Sequence, residues 1–200
     1  KTFLEELFNE LTNTQKRGPH AVCKDSLYIT KDLGKSTKKI KDYVVQVSWG
    51  RSQAQKDHIL TTSYAGLDPK QDDQKPHTKW IKHMDFSVST DFGESFKVKV
   101  QGGNRFIASF EKFLFVAKFH DDGFDAVKLM VSTDGGETFQ MSEIPEVLDE
   151  QSYNVLDADE GFVLLHVNHG EEHDNNNAKV QNGLMGNVYA SDETGARYTL

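Results

Sequence analysis

One short motif, used four times, constrains this chain more than anything else in it. Ser89-Thr-Asp91-Phe-Gly93-Glu-Ser95-Phe96 returns as Ser132-Thr-Asp134-Gly-Gly136-Glu-Thr138-Phe139. Each copy follows a strand-like apolar run, so a fixed hairpin is being reused. Two weaker copies flank these. Thr30-Lys-Asp32-Leu-Gly34-Lys-Ser36-Thr37 lacks the aromatic, and Ser191-Asp-Glu193-Thr-Gly195-Ala-Arg197-Tyr198 puts Glu where Asp belongs. The copies begin 59, 43 and 59 residues apart. That period accommodates one four-stranded sheet, which points to propeller blades rather than helical repeats.

Between the boxes the chain reads as short strands rich in Val, Ile, Phe and Tyr, bounded by Gly, Asp and Asn clusters. Residues 43–49, 58–64, 80–89 and 95–100 make one set of four. Residues 105–110, 113–119, 126–132 and 138–141 make a second, and 153–157, 162–168, 187–190 and 197–200 a third. Each set places its box between strands three and four. The run Phe113-Leu-Phe-Val-Ala-Lys-Phe119 is almost continuously apolar, as expected for a strand covered on both faces. The fold expected is therefore all-β: about three blades of a larger propeller, each a four-stranded antiparallel sheet.

Residues 23–200 are assigned to this partial propeller and residues 1–22 to an N-terminal remnant. Upstream of Tyr43 only the outer half of a blade is predicted, from residues 27–30 and 38–40. Leu4, Leu7, Phe8 and Leu11 recur at helical spacing, which predicts a short amphipathic packing helix followed by a loop. The chain opens on Lys and its last box stops as a strand should begin, so a piece of a longer polypeptide is expected. Two polar insertions, 65–79 and 170–186, both fall between strands two and three. They should project from one face, opposite the boxes, as binding elements or as disordered loops.

The box residues have structural roles. Asp and Ser side chains bond nearby backbone N–H groups, Gly takes a positive φ without steric cost, and the aromatic anchors strand four between blades. The positions expected to do this are Asp32, Gly34, Ser89, Asp91, Gly93, Phe96, Ser132, Asp134, Gly136, Phe139 and Gly195. A calcium loop would need alternating oxygen ligands and a closing Glu, which are missing. Neither a metal nor a cofactor is implied.

Composition narrows the function. A net charge of −8, with 23 basic residues among 31 acidic ones, argues against nucleic acid and favours a basic or cationic-peptide partner. No apolar run reaches the length of a membrane helix, so this segment itself is not expected to contact the membrane. The single cysteine, Cys23, excludes an intrachain disulfide.

The segment Lys128-Leu-Met-Val-Ser-Thr-Asp-Gly-Gly-Glu-Thr-Phe139, its continuation through Glu150-Gln-Ser-Tyr153 and the strand Gly161-Phe-Val-Leu-Leu-His-Val167 resemble the sortilin-type receptor propeller, the vacuolar-protein-sorting ten domain. The resemblance covers about Leu27 to Leu200. It implies a ten-bladed lumenal propeller that captures peptides and propeptides for sorting between Golgi, endosomes and cell surface, as part of a single-pass membrane protein. Carried over by position, Phe115 and Tyr153 match aromatic residues of the family's peptide-binding wall and Leu129 an aliphatic one. Ala117 stands where a family member has serine. Val127, followed by Lys128, stands where it has the arginine that pairs with a ligand's terminal carboxylate. Lys128 supplies a point charge in place of a bidentate fork, so apolar or backbone-mediated peptide recognition is expected.

Two rivals to this non-catalytic reading arise from the same residues. The box also occurs in sialidases and other glycosidases, whose chemistry needs three arginines, a Tyr/Glu pair and an acid. Arg17, Arg51, Arg105 and Arg197 are the only arginines, and none sits in a recognisable opening motif. A purely architectural scaffold is the other rival. His166, His169 and His173, with Glu171, Glu172 and Asp174, read as solvated residues whose charging in acidic endosomes would loosen a ligand. Trp49 and Trp80 read as blade packing.

Overall fold

The computed structural model describes residues 25–52, 55–66, 84–108, 112–119, 126–146, 148–149, 153–159, 161–168 and 186–200. The expected N-terminal helix and both polar insertions lie outside the described residues, apart from Ala65, Gly66 and Gly186 at the insertion margins. Every described element is a strand. A two-stranded sheet, β1 (Leu27–Ile29) and β2 (Lys38–Lys41), comes first. Sheet 1 is β3 (Val44–Trp49), β4 (Ile59–Tyr64), β5 (Met84–Ser89) and β6 (Lys97–Gln101), paired in that order. Sheet 2 is β7 (Gly103–Ile107), β8 (Leu114–Phe119), β9 (Ala126–Ser132) and β10 (Gln140–Met141), with β11 (Leu148–Asp149) also on β9. Sheet 3 is β12 (Tyr153–Asp159), β13 (Phe162–Asn168), β14 (Gly186–Ser191) and β15 (Tyr198–Thr199). All strand pairings within the four sheets are antiparallel.

The sheets stack face to face in chain order, as blades of a propeller do, and the arc is not closed. Strand β8 shows why its sequence is apolar throughout. Leu114 and Val116 pack with Leu60, Phe86, Val88 and Val100 of sheet 1. Phe113, Phe115, Ala117 and Phe119 pack with Val163, Leu165, Val167 and Tyr189 of sheet 3. Phe86 meets Phe106 and Phe139 edge to face, at 5.2 and 5.6 Å between ring centres. Gly103 sits at a close approach of sheets 1 and 2: a β-carbon there would lie 2.9 Å from Phe86 Cβ and from Val116 Cγ1.

Among the described residues the two-stranded sheet supplies the outer half of a blade, as expected. Its contact with sheet 1 differs in kind from the other two interfaces. Thr61, Ser87 and Ser89 are buried on that face of sheet 1, and Lys41 Nζ donates to Thr61 Oγ1 at 3.0 Å. The same ammonium lies 4.5 Å from the centre of the Phe96 ring. Burial pulls the Lys41 amine down to about 8, against a smaller upward pull from Asp85.

Strand four of sheet 2 departs from the sequence reading. It is split into β10 and β11, and the segment between them reaches sheet 3. Glu143 N donates to Ala196 O at 2.6 Å, and Tyr198 N donates to Glu143 O at 3.2 Å. Gly102 makes the turn between sheets 1 and 2 at φ +74°, and Gly103 already belongs to β7.

Candidate functional site

Three boxes share one hydrogen-bond pattern. The Thr30, Ser89 and Ser132 hydroxyls each donate to Oδ1 of the Asp two residues on. Each also accepts the N–H of the box glycine, Gly34, Gly93 or Gly136, at 2.8 to 2.9 Å. Asp32, Asp91 and Asp134 in turn accept the N–H and hydroxyl of Ser36, Ser95 and Thr138. Ser95's side chain and backbone hold the Asp91 carboxyl at about 2. For Asp134, slight burial pushes upward, but the Thr138 and Ser132 bonds win and leave it at about 2. These carboxylates are occupied with their own turns.

The fourth box works differently from its sequence alignment. Asp192, not Glu193, is the acceptor: its Oδ1 takes Thr194 Oγ1 at 2.7 Å and the N–H groups of Thr194 and Ala196. Shifting the carboxylate one residue toward the N-terminus preserves the turn and leaves Gly195 at φ +71°. Box glycines also face the preceding sheet. A β-carbon on Gly93 would meet Ile40 at 2.6 Å, and one on Gly195 would meet Phe113 at 3.0 Å. Phe139 packs into the core between sheets 1 and 2, and Phe96 lies under Lys41. Lys38 pairs with Glu94 at 2.5 Å and Lys99 with Glu137 at 2.7 Å, each pair crossing to the residue after the next box's glycine.

The first strand of each sheet, β3, β7 and β12, is bulged, at Val44/Gln46, Gly103/Arg105 and Val155/Asp157. A bulge re-aims side chains on the strand that carries it. The β3 and β7 strands are joined by Gln46, whose amide donates to Phe106 O at 2.8 Å and accepts Phe106 N–H at 3.0 Å. Arg51 Nε adds a bond to Ala108 O at 2.6 Å.

Against this frame, the residues carried over as a peptide-binding wall divide. Phe115, Ala117 and Leu129 are at most 2% exposed, in the core between sheets 2 and 3. The neighbouring sheet occupies the face they point to. Val127 lies in the same core. Lys128 is on the opposite face of β9, half-buried and directly across from Lys118. Tyr153 opens β12, half-buried against the core between sheets 2 and 3. Arg105 is not among the residues carried over. It is exposed on β7, in register with Ala117, and makes no ion pair with a described residue. Its place after the buried Asn104 in an alternating strand is the signal that marks it.

A Tyr/Glu pair of the kind a glycosidase needs does exist, between Tyr189 and Glu146, with Asn187 also donating to Glu146. The Glu146 carboxylate raises the Tyr189 phenol, the wrong direction for a nucleophile, and Tyr189 is 1% exposed on the third strand of its sheet. Among the described residues no group of three His, Cys, Asp or Glu is placed to hold a metal. No helix among them is long and apolar enough to cross a membrane.

Four-stranded antiparallel sheets stacked in series, each pinned by a serine–aspartate–glycine turn, define a propeller-type repeat protein. Residues 7–200 match the family described as sortilin, neurotensin receptor 3, and the chain belongs to that family. Relatives include sortilin of Danio rerio, 31% identical over 172 residues covering 84% of this chain. Sortilin of Mus musculus is 26% identical over 182 residues, covering 88%. The chain spans 18% of the length of these curated relatives.

Proposed function

We propose that this chain is a non-catalytic, ligand-binding part of a sortilin-type sorting receptor. It takes up peptides or proteins on the lumenal side of Golgi and endosomal membranes or at the cell surface. The family match across residues 7–200 carries the reading. The contact surface we assign is the bulged first-strand rim of sheets 2 and 3, with Tyr153 as an aromatic contact and Arg105 as an exposed fork for a carboxylate. Lys128 contributes charge from the opposite face of sheet 2. Phe115, Ala117 and Leu129 support this rim from behind without touching ligand.

Calorimetric titration with peptides ending in a free or an amidated carboxylate tests it, run beside a glycosidase substrate panel. Binding that weakens on amidation and in Arg105→Ala, with no turnover, is the expected outcome. Turnover would favour the glycosidase reading, and silence in both assays the scaffold.

A further inference from the structure

The box end of the first two sheets carries apolar residues that packing does not explain. At the position just before the box glycine, the third copy has Gly135 at φ +75°. The first two copies hold bulky residues in that same left-handed conformation, Leu33 at φ +59° and Phe92 at φ +56°. A branched or aromatic residue is disfavoured there, at a cost of about 1 kcal/mol or more. Leu33 gains no packing in return, being 100% exposed, and Phe92 is 38% exposed. The half-exposed Trp49 meets Phe92 edge to face, with ring centres 6.4 Å apart.

Cations surround these tips. Lys31 and Lys35 flank Leu33 in the same turn, both exposed, and Lys31 Nζ lies 5.3 Å from the centre of the Phe92 ring. Three of the nearby acids are committed elsewhere, and a fourth, Asp57, accepts the Phe92 N–H through its backbone carbonyl. Asp32 and Asp91 bond their own turns, and Glu94 is bridged to Lys38 while also feeling Lys31. A Leu and a Phe at turn tips, with the Trp that ends β3 beside the Phe and two lysines in the first turn, match the chemistry of a phospholipid interface. Acyl chains accept the apolar tips and phosphates accept the ammonium groups.

We infer that Leu33, Phe92 and Trp49 form an interfacial wedge that seats this end of the molecule on a phospholipid surface, with Lys31 and Lys35 at the level of the headgroup phosphates. This is a second surface, independent of the peptide rim.

The test is sedimentation of the whole chain with vesicles of phosphatidylcholine, alone or with a minority of phosphatidylserine. Wild type should bind both and bind the anionic vesicles more tightly. The double variant Leu33→Gly, Phe92→Gly should lose at least about tenfold in partitioning, because two apolar side chains leave the interface. Glycine suits both backbone positions, so this variant should stay folded and keep its peptide affinity. Lys31→Gln with Lys35→Gln should remove the preference for anionic vesicles. In a Trp80→Phe background, Trp49 emission should shift to the blue on binding. The inference is overturned if wild type ignores both vesicles, or if the glycine variant binds as well as wild type. It is equally overturned if wild type self-associates, the glycine variant is monomeric and neither binds vesicles, since the tips would then join two copies of the chain.

Discussion

At the scale of single residues, the box serine does more than its exposure pattern suggests. Ser132 Oγ accepts the buried Gly136 N–H while donating to Asp134, so Ser132→Ala leaves that N–H without a partner. A loss of about 1 to 3 kcal/mol is expected, measured by denaturant unfolding. Asp91→Ala and Asp134→Ala should each lower the melting temperature, as the loss of several turn bonds requires. Their pH dependence has a definite sign. Both carboxyls titrate near 3.8 when unfolded and near 2 when folded, so the unfolded chain binds more protons in between. The stabilisation is complete above about pH 4 and drains away as pH falls toward 2. Asp91→Asn should flatten that part of the stability profile; an unchanged slope would count against the turn bonds. Lys41 shows the same direction of pH dependence from a different cause, the desolvation of a cation. Its amine falls from 10.5 to about 8 on folding, so stability rises with pH across that window. Lys41→Met should remove that rise and stabilise the fold at neutral pH by about 1 kcal/mol, the partial solvent contact keeping the gain small.

At the scale of elements, the boxes and most strands were legible because each rests on local chemistry: alternation, β-branching and a turn that only certain residues can make. Three features were not. The split of strand four into β10 and β11 depends on Glu143 bonding to residues 196 and 198, a partnership no local pattern records. The bulges in β3, β7 and β12 are two-against-one pairings, invisible in one strand alone. The burial of Phe115, Ala117 and Leu129 between sheets 2 and 3 was hidden for a related reason. Phe113-Leu-Phe-Val-Ala-Lys-Phe119 is apolar on both faces, so its sequence cannot say which face meets a neighbouring sheet and which lies open. The fourth box shows the same limit at smaller scale, since Asp192 replaces the expected acceptor by a one-residue shift. Gly103 tests the packing of these elements directly. With Phe86 and Val116 2.9 Å from any added β-carbon, Gly103→Val must push sheets 1 and 2 apart. A destabilisation of about 1 to 3 kcal/mol is expected, read from the denaturant midpoint. Gly34, which has open space beyond its positive φ, should tolerate alanine better than Gly93 does.

At the scale of the whole molecule, stability is distributed between neighbours. Among the described residues sheet 2 is the only complete sheet packed on both faces by complete sheets, and two separate apolar clusters flank it. In such a serial array each interface contributes its own share, and damage at one should spread unevenly. The two interfaces also differ in their backing. Sheets 2 and 3 share backbone bonds through Glu143 as well as the larger cluster. Sheets 1 and 2 are joined by the Gln46 amide clamp and the Phe86–Phe106 contact. Phe86→Ala and Phe115→Ala remove side chains that are both 0% exposed, so each should cost about 3 to 5 kcal/mol by cavity formation. Their consequences should separate in amide hydrogen exchange. Phe86→Ala should accelerate exchange in β3 to β6 while β13 and β14 stay protected, and Phe115→Ala should do the reverse. Uniform acceleration in both variants would mean that the sheets unfold as one cooperative unit, and the serial description would have to be given up.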